Sequence, residues 1–346
     1  LSAEAERASE AKQEQAALDI AAQAGIYRLA IPTPFQVGRV NAYLIEDDPL
    51  TLIDCGPNSG KALDELEQAL AAHGRRIEEI ELLVITHQHI DHFGLAAIVA
   101  RRSGADVAAL DLLAPFLSRF GEEAERDDAF AEAIMLRHGI PPDVVSALRA
   151  VSASFRSWGA KVQVTRPLRD GANLVLHDRA LRVLHRPGHS PSDTVFHDED
   201  RKMLIAGDHL LKHISSNPLI ARPLDAPADY DGPRPQALLA YIASLKKTAE
   251  MDLDLTLSGH GGPIADHGAL IEERLRMHAR RAEKIRRLIA EQPRTAHEIA
   301  HELWGNIAVT QAYLTLSEVL GHIDLLLQSD EVSEVEQDGI ARFVVH

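Results

Sequence analysis

Thr86-His87-Gln88-His89-Ile90-Asp91-His92 is the stretch on which the reading of this chain turns. It directly follows the apolar run Leu82–Ile85, read as a strand, and precedes the helical pattern Gly94–Arg102. A strand end that runs into a tight loop can aim several side chains into one cavity. His87, His89, Asp91 and His92 put four titratable groups into six positions, an arrangement that is costly to bury unless a cation compensates it. His87 and His89 alternate, so they can point together. Asp91 and His92 stand further along and can serve a second ion. Imidazole with carboxylate suits a zinc ion near neutral pH. The competing reading, a solvated histidine-rich loop, fits poorly with this spacing directly after a strand.

Upstream, Ile26–Ile31, Val40–Glu46 and Leu50–Asp54 read as strands, the last two as a hairpin across Asp47-Asp48-Pro49. Gly60–His73 has helical spacing, with Leu63, Leu66 and Leu70 on one face. Downstream, residues 111–160 are largely helical in pattern and are punctuated by Pro115, Pro141 and Pro142. Strand signals return at Val162–Val164, Leu174–His177, Leu181–His185, Thr194–His197, Met203–Ala206 and Leu253–Leu257. A Pro-rich loop (218–235) and a helix around Pro235–Glu250 precede the last of these. Strands and helices in mixed order imply packed α/β layers.

After Ile264 the pattern turns helical. A long helix begins at Asp266 or His267, and two more occupy Thr295–Leu303 and Val309–Leu327. Thr295 as N-cap with Glu298 three residues on forms a capping box. Val332–Val335 and Ile340–Val345 alternate around Gln337-Asp338-Gly339, a hairpin signal.

The chain has 346 residues, enough for one large α/β domain with an appendage. Hydrophobic residues make up 45% and charged residues 25%, the balance of a globular protein. Cys55 is the only cysteine, so a thiolate cage is excluded and any metal must rest on His and carboxylate. The net charge of −16 disfavours a general polyanion binder. No apolar run is long enough to cross a bilayer. Residues 1–24 form an Ala-, Glu- and Gln-rich polar extension without signal-peptide character, and cytoplasmic residence is the expectation.

The heptapeptide resembles the T-H-x-H-x-D-H signature of the metallo-β-lactamase superfamily. The similarity continues through Pro187-Gly188-His189-Ser190, Ala206-Gly207-Asp208-His209 and Ser258-Gly259-His260-Gly261, in the family's order and each after an expected strand. The resemblance implies a four-layer αββα sandwich over residues 25–265, interrupted by the helical insert at about 111–160. It implies two zinc ions, with iron or manganese as alternatives. His87, His89 and His189 would hold one ion, Asp91, His92 and His260 the other, and Asp208 would bridge them. Asp54, in Asp54-Cys55-Gly56, would orient a ligand histidine, and Cys55 would be a packing residue.

By the same resemblance the chain is a hydrolase in which a metal-bridging hydroxide attacks an ester, thioester or lactone. Asp91 would carry a proton as well as ligate; His213, in the loop just beyond Asp208 that can border the metal cleft, would donate to the substrate or leaving group. A bridging Asp208 disfavours β-lactam hydrolysis, and His89 disfavours a di-iron oxygen-reducing site. The other readings are a phosphodiesterase or ribonuclease, a mononuclear-iron persulfide dioxygenase, and a nucleic-acid-binding regulatory protein. Residues 266–346 resemble a small winged-helix extension. Arg276, Arg280, Lys284 and Arg287 form a basic stripe there, but Glu272, Glu273 and Glu283 interleave with it and Glu331, Glu334 and Glu336 occupy the wing, so a salt-bridged solvated helix is the simpler reading. The expected partner is a small molecule, without a membrane, with nucleic acid as the minor alternative and a homodimer through the Leu316, Leu320, Ile323 and Leu327 face as an option.

Overall fold

The computed structural model describes residues 3–306 and 311–346. Two sheets carry the fold. The first has the order β1 (Ile26–Ile31), β2 (Val40–Ile45), β3 (Thr51–Ile53), β4 (Leu82–Val84), β5 (Asp106–Leu110) and β6 (Arg166–Leu168). The second runs from β11 (Leu255–Ser258) through β10 (Met203–Gly207), β9 (Thr194–Asp198) and β8 (Ala180–His185) to β7 (Asn173–Val175). The β2–β3 hairpin pairs antiparallel, with Tyr43 opposite Ile53, whereas β3, β4, β5 and β6 run parallel.

Side chains alternate across each strand, and this alternation makes the layers. On β4, Leu82 and Val84 face the core between the sheets, where they meet Leu181, Val183, Phe196, Met203 and Ile205. Leu83 and Ile85 face the other way, under α2 (Gly60–Ala72) and, beyond the short helix α3 (Ile90–Phe93), α4 (Ala96–Ser103). On the second sheet, Val195, Leu204 and Ala206 face outward. Nearby, Leu238, Tyr241 and Leu245 of α8 (Ala237–Ala249) pack on Leu210 and Ile271. The result is an α/β sandwich with helices outside both sheets. The first helix, α1 (Ala3–Gln23), is exposed or half-buried over most of residues 8–23 but buries Ala21 against the inter-sheet core.

Two expectations fail locally. The apolar pair Val162–Val164 is not a strand; Val162 N–H donates to the Leu117 carbonyl, and the strand forms at Arg166–Leu168 instead. Pro167 lies in β6, which pairs only with β5, so its missing N–H costs no ladder bond on the open side. The second is an omission: β5 reads as a short alanine-rich run without β-branched periodicity, yet it lies inside the first sheet between β4 and β6.

The insert divides between two cores. Leu113, together with Phe116 and Leu117 of α5 (Ala114–Ser118) and Phe120, joins the core beneath the first sheet. Further on, Ile134 and Met135 of α6 (Phe120–Arg137) and Val145 of α7 (Pro142–Phe155) join a separate core. That core also contains residues of α9 (His267–Glu291), α10 (Ala296–Trp304), α11 (Ala312–Gln328) and the hairpin β12 (Val332–Gln337) and β13 (Ile340–Val345). Asp266 caps α9 by accepting from Ala269 N–H, and the Thr295/Glu298 capping box opens α10. Leu316, Leu320 and Ile323 are buried within this chain, so that face is already occupied. Residues 309 and 310, at the start of the helix expected there, lie outside the described residues.

Candidate metal centre

Strand ends bring the chemistry together. His87 follows β4, His189 follows β8, Asp208 follows β10 and His260 follows β11, while Asp91 and His92 lie on α3. Three sets of donor atoms each fall within 4.8 Å of one another: His87 with His89 and His189, His87 with His92 and Asp208, and Asp91 with His92 and His260. His189 Nε2 lies 2.9 Å from His89 Nδ1. His92 Nε2 is 3.4 Å from Asp208 Oδ1, and Asp208 Oδ2 lies 3.5 Å from His189 Nε2 and 3.4 Å from His260 Nε2. Asp208 therefore stands between the two groups of imidazoles.

The far ring nitrogens are tied down, and this sets which nitrogen faces inward. His92 Nδ1 lies 2.7 Å from Asp54 Oδ2. Thr86 spans Asp54 and His87: its Oγ1 donates to Asp54 Oδ2 at 2.7 Å and lies 2.9 Å from His87 Nδ1, while its N–H donates to Asp54 Oδ1. His260 Nδ1 is 2.8 Å from the Arg39 carbonyl and His189 Nδ1 is 3.2 Å from the Asn217 carbonyl. Each of these four rings can donate outward and present a bare Nε2 inward.

Glycine makes the approach of β11 feasible. A Cβ on Gly259 would lie 2.2 Å from Asp208 Oδ1 and 2.9 Å from the His92 ring. Asn41 holds the same turn, its Nδ2 donating to the Ser258 and Gly261 carbonyls.

Burial pushes His87 well below the ordinary imidazole range and His89 down to about 3, so both are neutral donors. Burial also works against a charged His92, but the carboxylates of Asp208, Asp54 and Asp91 outweigh it and raise its pKa. For Asp208 burial opposes ionisation, and His260 and His92 overcome it, holding the carboxyl well below its usual range.

These donors fit divalent ions. His87 Nε2, His92 Nε2 and Asp208 Oδ1 are buried without a hydrogen-bond partner among the described residues. Orphaned polar atoms of that kind are expensive unless something electropositive meets them. Imidazole lone pairs converging with carboxylates form a donor set suited to zinc.

Of the other residues singled out by sequence, Cys55 is fully buried with Sγ 3.4 Å from the His92 carbonyl, and burial raises its thiol pKa, so it offers no thiolate. His213 is exposed, with Cδ2 3.8 Å from where a Gly261 Cβ would lie, so it stands at the rim beside His260. Sequence reasoning gave no role to Thr86, Arg39, Asn217 or Asp193. Arg39 and Asn217 act through backbone carbonyls, which carry no residue signature. Asp193 accepts from Ser190 N–H and Oγ and so braces the loop after His189; the spacing Ser190-Pro191-Ser192-Asp193 was its only available signal.

The family model described as the metallo-beta-lactamase superfamily matches residues 36–260. A probable metallo-hydrolase of Bacillus subtilis, YqjP, is 32% identical over 319 residues, covering 92% of this chain and 97% of its own length. The acyl-coenzyme A thioesterase MBLAC2 of Bos taurus is 33% identical over 130 residues, which is 37% of this chain and 40% of that protein. A beta-lactamase domain protein from Burkholderia ambifaria superposes with a TM-score of 0.78 at 27% identity, covering 93% of this chain and 92% of its own. A metallo-beta-lactamase family protein from Thermus thermophilus gives 0.76 at 27% identity, covering 93% and 99%.

Proposed function

Because this chain belongs to the metallo-β-lactamase superfamily and is a metallo-hydrolase of it, we propose that it holds two zinc ions and hydrolyses an acyl ester bond, a thioester foremost. The observation that carries the reading is the seven-residue donor cluster in which Asp208 stands between two groups of imidazoles. His87, His89 and His189 would hold one ion, Asp91, His92 and His260 the second, and Asp208 would serve both. Bound there, the ions would supply Lewis acidity toward the acyl oxygen and lower the pKa of water toward neutrality.

The chain's own residues have separate tasks. Asp54 and Thr86 hold the rings of His92 and His87, and the Arg39 and Asn217 carbonyls hold those of His260 and His189. Asp91, whose Oδ2 lies 3.3 Å from His260 Nε2, would pass a proton toward the departing group. His213 stands at the rim, where that group leaves. In the overall reaction a water oxygen bonds to the acyl carbon, the C–S or C–O bond breaks, and the leaving sulfur or oxygen takes a proton.

Support for an acyl group comes from the rim. Ile214, next to His213, is 46% exposed, and Leu314, whose carbonyl accepts from Asn217, is 39% exposed. Val37 is exposed two residues before Arg39. Large apolar side chains left in water beside polar donors suit a hydrophobic substrate. The thioesterase named among the relatives points the same way.

The deciding measurement is kcat/KM of the zinc-loaded protein on an acyl ester and a phosphodiester with the same leaving group, with Asp208→Ala as the control for contaminating activity. Acyl preference supports the reading. Phosphodiester preference replaces it with nuclease-type chemistry.

A further inference from the structure

We propose that a pocket between α9 and the end of α10 binds the phosphorylated nucleotide end of the substrate's thiol carrier, which makes the substrate a coenzyme A thioester. This rests on the thioester reading above. The pocket has a volume of about 290 Å³ and is lined by Met277, Arg280, Arg281 and Lys284 of α9 with Leu303 and Trp304 of α10. That volume lies at the lower end of small-molecule sites, enough for part of a ligand rather than the whole.

The charges around the pocket are unevenly neutralised. At one end of the basic stripe Arg276 pairs with Glu272 at 2.6 Å, and at the other Arg287 pairs with Glu283 at 2.7 Å. Between them, Arg280 and Lys284 are exposed and have no carboxylate partner among the described residues. Arg281 lies over the Trp304 ring, with Cζ 5.1 Å from its centroid, and reaches Glu318 at 3.5 Å. In a chain of net charge −16, the pocket brings two such cations together with an indole. Guanidinium and ammonium groups recognise phosphate, and an indole face takes a heterocyclic base. A discrete pocket fits one nucleotide better than a strand of nucleic acid. A strand would have to pass the acidic groups that interrupt the stripe and Glu334 and Glu336 on β12, both held by Arg137.

A relay of contacts runs from the metal donors toward the pocket. His189 Nδ1 faces the Asn217 carbonyl, and Asn217 Nδ2 donates to the Leu314 carbonyl at 3.1 Å. One turn along α11, about 6 Å, Glu318 meets Arg281 at the pocket. A carrier with its nucleotide on Trp304 and its flexible arm along α11 would bring the thioester to the rim at Leu314 and Ile214.

The test compares octanoyl-coenzyme A with octanoyl-pantetheine, which has the same thioester without the nucleotide. Zinc-loaded wild type should favour the coenzyme A ester in kcat/KM. That ratio should fall about tenfold or more, through KM, in the Arg280→Ala/Lys284→Ala double variant and in Trp304→Leu, the loss expected for one or two charge-assisted contacts. If both esters are cleaved and the ratio is near one in the wild type, or unchanged in the variants, the pocket assignment is overturned while the thioester reading stands. If neither is cleaved, the thioester reading fails, and the pocket is judged by calorimetric titration with 3′,5′-ADP. Binding that the double variant loses upholds a nucleotide-phosphate site; no binding to the wild type overturns it. Binding of a single-stranded oligonucleotide, lost in the double variant without any binding of 3′,5′-ADP, overturns it in favour of nucleic acid.

Discussion

Asp208 and Gly259 show how closely single residues constrain this centre. The carboxylate must stand between two sets of imidazoles, and the backbone of β11 can pass it only because residue 259 has no side chain. Asp208→Ala is expected to lower metal content from about two ions to one, measured by plasma mass spectrometry, and to reduce kcat/KM at least ~100-fold, in line with the loss of a shared ligand. Gly259→Ala should impair metal binding comparably, since the new methyl would overlap Asp208 Oδ1. Asp54 has φ 57°, a left-handed conformation that Asp and Asn tolerate better than most residues. Asp54→Asn therefore keeps the turn while removing the charge at His92 Nδ1, and zinc affinity should drop about 10–100-fold; unchanged affinity in a competition titration would remove Asp54 from this role. The ring-bearing residues were legible in sequence because ligand types at short spacing after a strand are rare. The carbonyl partners were not, because any residue supplies one.

At the scale of elements, caps and turn chemistry read well. The capping box at Thr295 and Glu298 forms, with Thr295 N–H donating to Glu298 Oε2 at 2.8 Å. Thr295→Ala should cost about 1 kcal/mol in a urea titration. The hairpin across Asp338-Gly339 also forms where its sequence places it. Strand assignment failed where composition misleads: β5 is alanine-rich, and β6 contains a proline that only an edge strand accepts. The Pro-rich loop gave no local signal of its ties to the helices, among them the two-fold contact of Arg234 with Asp324 on α11 at 2.6 and 2.7 Å. Asp324→Ala would leave a largely buried guanidinium unpaired and should cost about 3–5 kcal/mol.

At the scale of the molecule, the second half of the insert shares a core with the C-terminal helices: Ile134, Met135 and Val145 pack with Ile285, Leu316 and Phe343. A chain ending at residue 265 should therefore expose that insert face and aggregate on size-exclusion chromatography; a monodisperse truncated protein would contradict the shared core. The same junction predicts a pH effect. Burial pushes the Asp127 carboxyl up to about 6, despite Arg222 at 3.3 Å. A carboxyl raised in the folded state contributes stability that is present below its unfolded pKa and is lost as pH rises through about 6. Asp127→Asn removes this dependence, so its urea midpoint relative to wild type should be more favourable at pH 7 than at pH 4. Side-chain exposure of 29% makes the effect smaller than full burial would give.

The sequence by itself displayed the candidate donor residues, their order along the chain and the resemblance to the family, because metal ligation needs particular side chains and strand ends place them. It also determined most helix boundaries, through caps and apolar period. Tertiary structure alone decided what holds each imidazole, where the insert goes and which basic residues stay unpaired. Those outcomes depend on backbone carbonyls and on neighbours distant in sequence: Asn217 reaches Leu314, and Arg281 reaches Glu318, only after the chain has folded back on itself.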